Sequence, residues 1–202
     1  MDLTLVIIII TTLASIAVFE SPRLFDKLAL TPYFIVRNKE WYRVITHGFI
    51  HANWTHLLIN MLVLYSFGQA LFYYLSLCTE TTVMHYLIIY FGGMVCATIT
   101  TIIKHRNNYA YRGIGASGAV AAVMFACIFF NPWHKLYFMA IIPVPGIIFA
   151  VLYLLYCSYM SRNSSDNINH DAHFYGAVFG FIYPVLIDPY LYKRFIQMLM
   201  NP

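Results

Sequence analysis

The chain has 202 residues, of which 61% are hydrophobic and only 10% charged, with a net charge of +4 and a mean hydropathy of +0.69. Soluble domains average about 45–50% apolar and about 25% charged residues, so these charges are too few to cover a water-facing surface. The composition reads as an integral membrane protein, all-α once its long apolar runs are taken as helices, and the modest, scattered basic excess gives nucleic-acid binding no support.

The first apolar run, residues 3–20, has no basic segment before it and no small-residue cleavage site after it, and so reads as a retained helix rather than a signal peptide. Residues 21–53 are too polar to span but rich in aromatics, which predicts an ordered connector lying in the interface. Further helices are expected at about 54–75, 83–104, 115–131, 136–159 and 171–188, each near the 20 residues that cross about 30 Å of hydrocarbon. Six spans in one domain result. Pro143 and Pro145 predict a kink or local unwinding in the fifth.

With six spans both termini share one side. That side carries Lys135, Lys193 and Arg194, and the other nine of the twelve Lys and Arg lie opposite, five of them in the 21–53 connector. A plain positive-inside count puts the termini outside.

The eight acids all fall in loops or at helix ends, which argues against a proton-relay carboxylate and a carboxylate-held metal. The four cysteines show no CxxC spacing and read as small core residues. What remains at depth is serine, histidine and asparagine. Ser117 lies in Gly113-Ile114-Gly115-Ala116-Ser117-Gly118, where a polar loop meets an apolar segment. His56 and Asn60 are four apart on one helix face, and His173, Gly176 and Gly180 share a face of the last helix. Two glycines there let a neighbouring backbone approach, and the surface around Gly115 and Gly118 is the natural mate. That packing brings His173 to Ser117 as a base must come to its nucleophile. His56, Asn60 and the Ser117 N–H then supply donors for an oxyanion, each worth about 2.7–4 kcal/mol of barrier. Asp171, two residues before His173, points elsewhere on a helix, which predicts a dyad and not a triad.

Taken singly, these residues have plainer readings. A serine at a glycine-rich helix start caps or packs, and His47 with His51 lack the glutamate of a zinc-protease motif and more simply brace the connector. His85, His105, His134 and His170 fall at loops or helix ends and read as interfacial. The combination carries the functional reading.

At these residues the chain resembles the rhomboid family of intramembrane serine proteases. The family's HxxxN is His56 to Asn60, its GxSG is Gly115-Ala116-Ser117-Gly118, and its AHxxGxxxG is Ala172 to Gly180, on the second, fourth and sixth helices in order. Arg43 stands four residues before His47, as an arginine does in the family. The resemblance implies a six-helix rhomboid-like bundle with a half-embedded first loop, Ser117 as nucleophile, His173 as base, and His56 and Asn60 as oxyanion donors with Gly115 shaping the site. It implies no cofactor and no metal, membrane-protein substrates with helix-destabilised transmembrane segments, and a cut near the outer face through an acyl-enzyme. It also implies cytoplasmic termini in a bacterial inner membrane, against the charge count, with 161–169 as a cap and the fifth helix as the side where substrate arrives. Two departures stand out: Tyr42 where a tryptophan is common, and Ala121 where many bacterial members place an aromatic ring on the catalytic histidine. A client-binding pseudoprotease is the alternative of the same fold, and a histidine-based transporter that of another class.

Overall fold

The computed structural model describes residues 2–138, 141–163, 166 and 168–201. Helices dominate because lipid offers no partner to a free N–H or C=O, so a crossing segment must satisfy its backbone internally. Helix α1 (Leu3–Phe19) is capped by the Asp2 carboxylate, which accepts from the N–H groups of Thr4 and Leu5. The connector holds three short helices, α2 (Pro22–Leu28), α3 (Pro32–Asn38) and α4 (Arg43–Thr46), followed by a 3-10 turn at His47–Phe49. Pro22 and Pro32 sit at the first helical position, where the missing N–H costs nothing. Lys39 ends α3 with a left-handed φ of 60°.

The long helices are α5 (Trp54–Ser76), capped by Asn53, and α6 (Thr82–His105). They are followed by α7 (Ser117–Phe130), α8 (Gly146–Asn163), α9 (His170–Ile187) and α10 (Tyr190–Met200). Among the described residues α5 and α6 are each long and apolar enough to cross a membrane alone. Helices α9 and α10 pass that test only together, bent by 118°, while α1 and α7 are shorter apolar helices.

Two stretches differ from expectation. Residues 136–138 and 141–145 do not begin the fifth helix, and 139 and 140 of the expected span lie outside the described residues. Lys135–Phe138 (β1) and Ile142–Pro145 (β2) pair antiparallel, Leu136 opposite Val144, and the helix starts only at Gly146. The cause is Pro143 and Pro145, which cannot donate within a helix but are tolerated on an edge strand. The second is α10, expected from no sequence pattern beyond residue 188. It folds under the bundle, buries Leu191 and Phe195, and stacks Phe195 on Phe129 at 4.9 Å.

Helix α7 is the axis of the molecule: every residue from Gly118 to Phe130 is buried, against α5, α6, α8 and above all α9. The α7–α9 contact is close because two glycines permit it. A Cβ on Gly176 would collide with the Gly118 carbonyl, and one on Gly180 with the Ala122 carbonyl. Lipid tails are as apolar as leucine, so this fit, rather than water exclusion, holds the helices together. Leu58, Ile59 and Leu62 on α5 and Ile9 and Leu13 on α1 face outward, as a lipid-contacting exterior requires.

Candidate active site

The connector positions the loop that leads into α7. Arg43, almost fully buried, donates from Nη1 to the carbonyls of Asp26 (2.6 Å) and Ala29 (2.8 Å) and pairs through Nε with Glu40 (2.6 Å). With the connector clamped, Leu30 and Gly113 exchange both main-chain hydrogen bonds, at 2.8 and 2.9 Å. The Gly115 N–H donates to the His47 carbonyl at 2.9 Å, and the Ala116 N–H to His51 Nε2 at 3.4 Å. Because His51 Nε2 accepts, its proton sits on Nδ1 and donates to Ser15 Oγ (3.0 Å), whose own hydroxyl donates to the Phe49 carbonyl (3.2 Å). Burial pulls the His47 imidazole down to about 4 and the His51 imidazole to about 3, the latter helped by neighbouring His56, so both rings stay neutral. They brace the connector.

Gly115 takes φ +109°, a conformation a side chain rarely adopts, and an added Cβ would lie 2.7 Å from the His56 ring. The bend aims Ser117 across the bundle, and Ser117 Oγ lies 2.8 Å from His173 Nε2. A helix of 14 residues is about 21 Å long, less than the roughly 30 Å of a hydrocarbon core, so α7 is too short to cross one alone. A cavity of about 1100 Å³ lies at the Ser117 end and is lined by His56, Asn60, Ser117, Tyr153 and His173.

All five residues singled out from the sequence therefore meet at one place. His56 packs edge-on against His51 at 4.9 Å. Asn60 is buried and spends one of its two amide hydrogens on the His56 carbonyl, at 2.9 Å. Asp171 turns away from His173, its carboxylate taken by the Ser161 hydroxyl and by Lys104 at 3.5 Å.

Sequence reasoning missed what surrounds His173. Tyr153 of α8 lies nearly parallel to the imidazole, 6.5 Å between centroids and 16° between planes, on the side of the buried Ala121. The sequence held a signal: Phe149, Tyr153 and Cys157 form an i, i+4, i+8 stripe. His170, read as interfacial, is instead 97% buried, with its ring 6.2 Å from that of His173 and its Nε2 3.2 Å from Asp166. Spacing of three from His173 on one helix was the clue. His85 likewise meets Tyr183 OH at 2.9 Å. The expected cap at 161–169 falls partly on residues 164, 165 and 167, outside the described residues. Of its remainder, Asn169 caps α9 and donates to Thr101 Oγ1 and Tyr111 OH.

A family model, the rhomboid domain, matches residues 38–189. Rhomboid-like protein 12 of Arabidopsis thaliana, a mitochondrial protein, is 26% identical over 185 residues, covering 82% of this chain and 53% of its own length. YdcA of Bacillus subtilis, described as a candidate rhomboid protease, is 32% identical over 151 residues, 73% of this chain and 67% of its own. The chloroplast rhomboid-like protein 11 of Arabidopsis is 24% identical over 191 residues, 88% and 64%. The chain spans roughly half to two thirds of the length of these relatives. The matched region holds Arg43, His47 and His51 of the connector, the glycine bend and both partners of the serine–histidine contact: this chain is an integral membrane protein that belongs to the rhomboid family.

Proposed function

We propose that this chain is an intramembrane serine endopeptidase that cuts transmembrane segments of other membrane proteins. The observation that carries the reading is the 2.8 Å contact of Ser117 Oγ with His173 Nε2 at the wall of a large cavity. His173 takes the hydroxyl proton as Ser117 attacks the scissile carbonyl, and returns it to the leaving amine. The oxyanion is met by His56, by the free hydrogen of the Asn60 amide and by the Ser117 N–H, with Gly115 keeping that space clear. Water then hydrolyses the acyl-enzyme through the same base. No cofactor or metal takes part.

Tyr153 acts as a positioning residue. Its ring supports the imidazole where Ala121 offers only a methyl group, so the orienting aromatic comes from α8 rather than α7. Substrates are membrane proteins whose transmembrane segments unwind readily, because a peptide must be extended for its carbonyl to reach Ser117. We place the protein in a bacterial inner membrane, termini cytoplasmic and cavity open to the outside, so that the cut falls near the outer face.

The test is cleavage of a tagged transmembrane substrate in detergent by wild type and Ser117→Ala, with and without EDTA. Cutting by the wild type alone, untouched by chelation, is the expected result. Equal cutting by both proteins would remove Ser117 from the mechanism. No cutting, with no labelling of Ser117 by a fluorophosphonate, would leave a pseudoprotease.

A further inference from the structure

Cys157 on α8 and His170 and His173 on α9 bring one sulfur and two ring nitrogens within 4.8 Å of one another. Cys157 is fully buried, and His170 nearly so. His170 Nε2 faces both oxygens of Asp166 at 3.2 Å, so its proton sits there and its Nδ1 carries a lone pair. Among the described residues that buried Nδ1 has no hydrogen-bond partner. A buried acceptor without a donor is costly, and a carboxylate behind a histidine is the arrangement that aims the other ring nitrogen at a metal.

We propose that Cys157, His170 and His173 form an inhibitory site for a soft divalent cation of the zinc class. Thiolate with two imidazoles suits such an ion, and a bound Zn²⁺ separates its ligand atoms by about 3.5 Å, so closure by about 1 Å completes the site. The cation displaces the Cys157 thiol proton to solvent and draws α8 onto α9. Its effect on His173 does not depend on which nitrogen it takes. A neutral imidazole has one lone pair; with Nε2 bound, Ser117 loses its partner, and with Nδ1 bound, the ring proton moves to Nε2. Either way nothing is left to accept the serine proton. The cation is therefore an inhibitor and not a cofactor. The inhibitory half rests on the reading of His173 as base; the binding half does not.

Purified protein is titrated with Co²⁺ for the thiolate-to-metal absorption, and with Zn²⁺ during cleavage. Wild type and Ser117→Ala should both give the absorption, Cys157→Ala should not, and Zn²⁺ should inhibit wild type reversibly on chelation. Cys157→Ala should keep its basal rate while needing at least tenfold more Zn²⁺ for the same inhibition, and His170→Phe should also weaken it. No cobalt absorption, or equal absorption with Cys157→Ala, overturns the site. Binding without inhibition overturns the claim on His173. Absorption in a protein that neither cleaves nor takes a fluorophosphonate keeps the site and removes the protease reading instead.

Discussion

Helices α7 and α8 both reach the cavity, yet they are held in opposite ways. From Gly118 onward α7 is buried throughout, whereas α8 buries only Gly146, Ala150 and Cys157 and leans mainly on α9. Ser117 thus sits on the most confined helix of the bundle, and the ring beside His173 rides on one of the least confined. Displacing α8 would open a path from lipid to the cavity without moving Ser117, at the cost of loosening His173. Confinement fixes Ser117, while the looser helix is the one free to move.

The strongest way to break that contrast is to force α7 and α9 apart. Gly180→Leu must place a side chain where the Ala122 carbonyl stands, and should destabilise by about 3 kcal/mol or more, read as a lowered melting temperature in detergent along with lost cleavage. Next comes the tie between connector and serine loop. His51→Leu leaves the Ala116 N–H without its acceptor and should cost about 1–3 kcal/mol. Acid probes the same tie. Below about pH 6.5 an unfolded histidine takes a proton, while folded His51 and His47 refuse it until about 3 and 4. Stability should therefore be full above pH 6.5 and fall as the pH drops towards 4, with a shallower fall in His51→Leu. A melting series against pH decides it.

A smaller effect is expected on the looser side. Tyr153→Leu should lower kcat about tenfold with KM little changed, and Tyr153→Phe should restore it, since the ring and not the hydroxyl supports His173. Equal loss in both variants would point to general damage of α8. Smallest of all, Lys104→Ala removes an exposed ion pair to Asp171 and should change stability by less than about 1 kcal/mol.

Legibility from sequence followed the same division. Spacing along single helices was enough to put His56 with Asn60 and His173 with Gly176 and Gly180, because helical period fixes which residues share a face. The meeting of those faces was legible because glycines announce close approach. What stayed hidden depended on the space between elements. Pro143 and Pro145 announced a break but not a hairpin. Tyr153 looked like one more lipid-facing aromatic until α8 was seen beside Ala121. His170 looked interfacial because nothing in the chain announces that α8 covers it. Helix α10 carries Lys193 and Arg194 among its apolar residues, and only its bend under the bundle explains that mixture.

The bond pair between Leu30 and Gly113, with that from Gly115 to the His47 carbonyl, runs through main-chain atoms only. Such ties are indifferent to which side chains flank them. The exposed positions of the connector can therefore drift in sequence without disturbing Ser117, and are open ground for retuning to a different bilayer. Mutational tolerance should be high at the exposed positions of this stretch and collapse at Arg43, His47 and His51 and at the buried Ala29, Leu30, Ile35, Gly48 and Ile50, so a saturation scan would display the scaffold as intolerant points in a permissive segment.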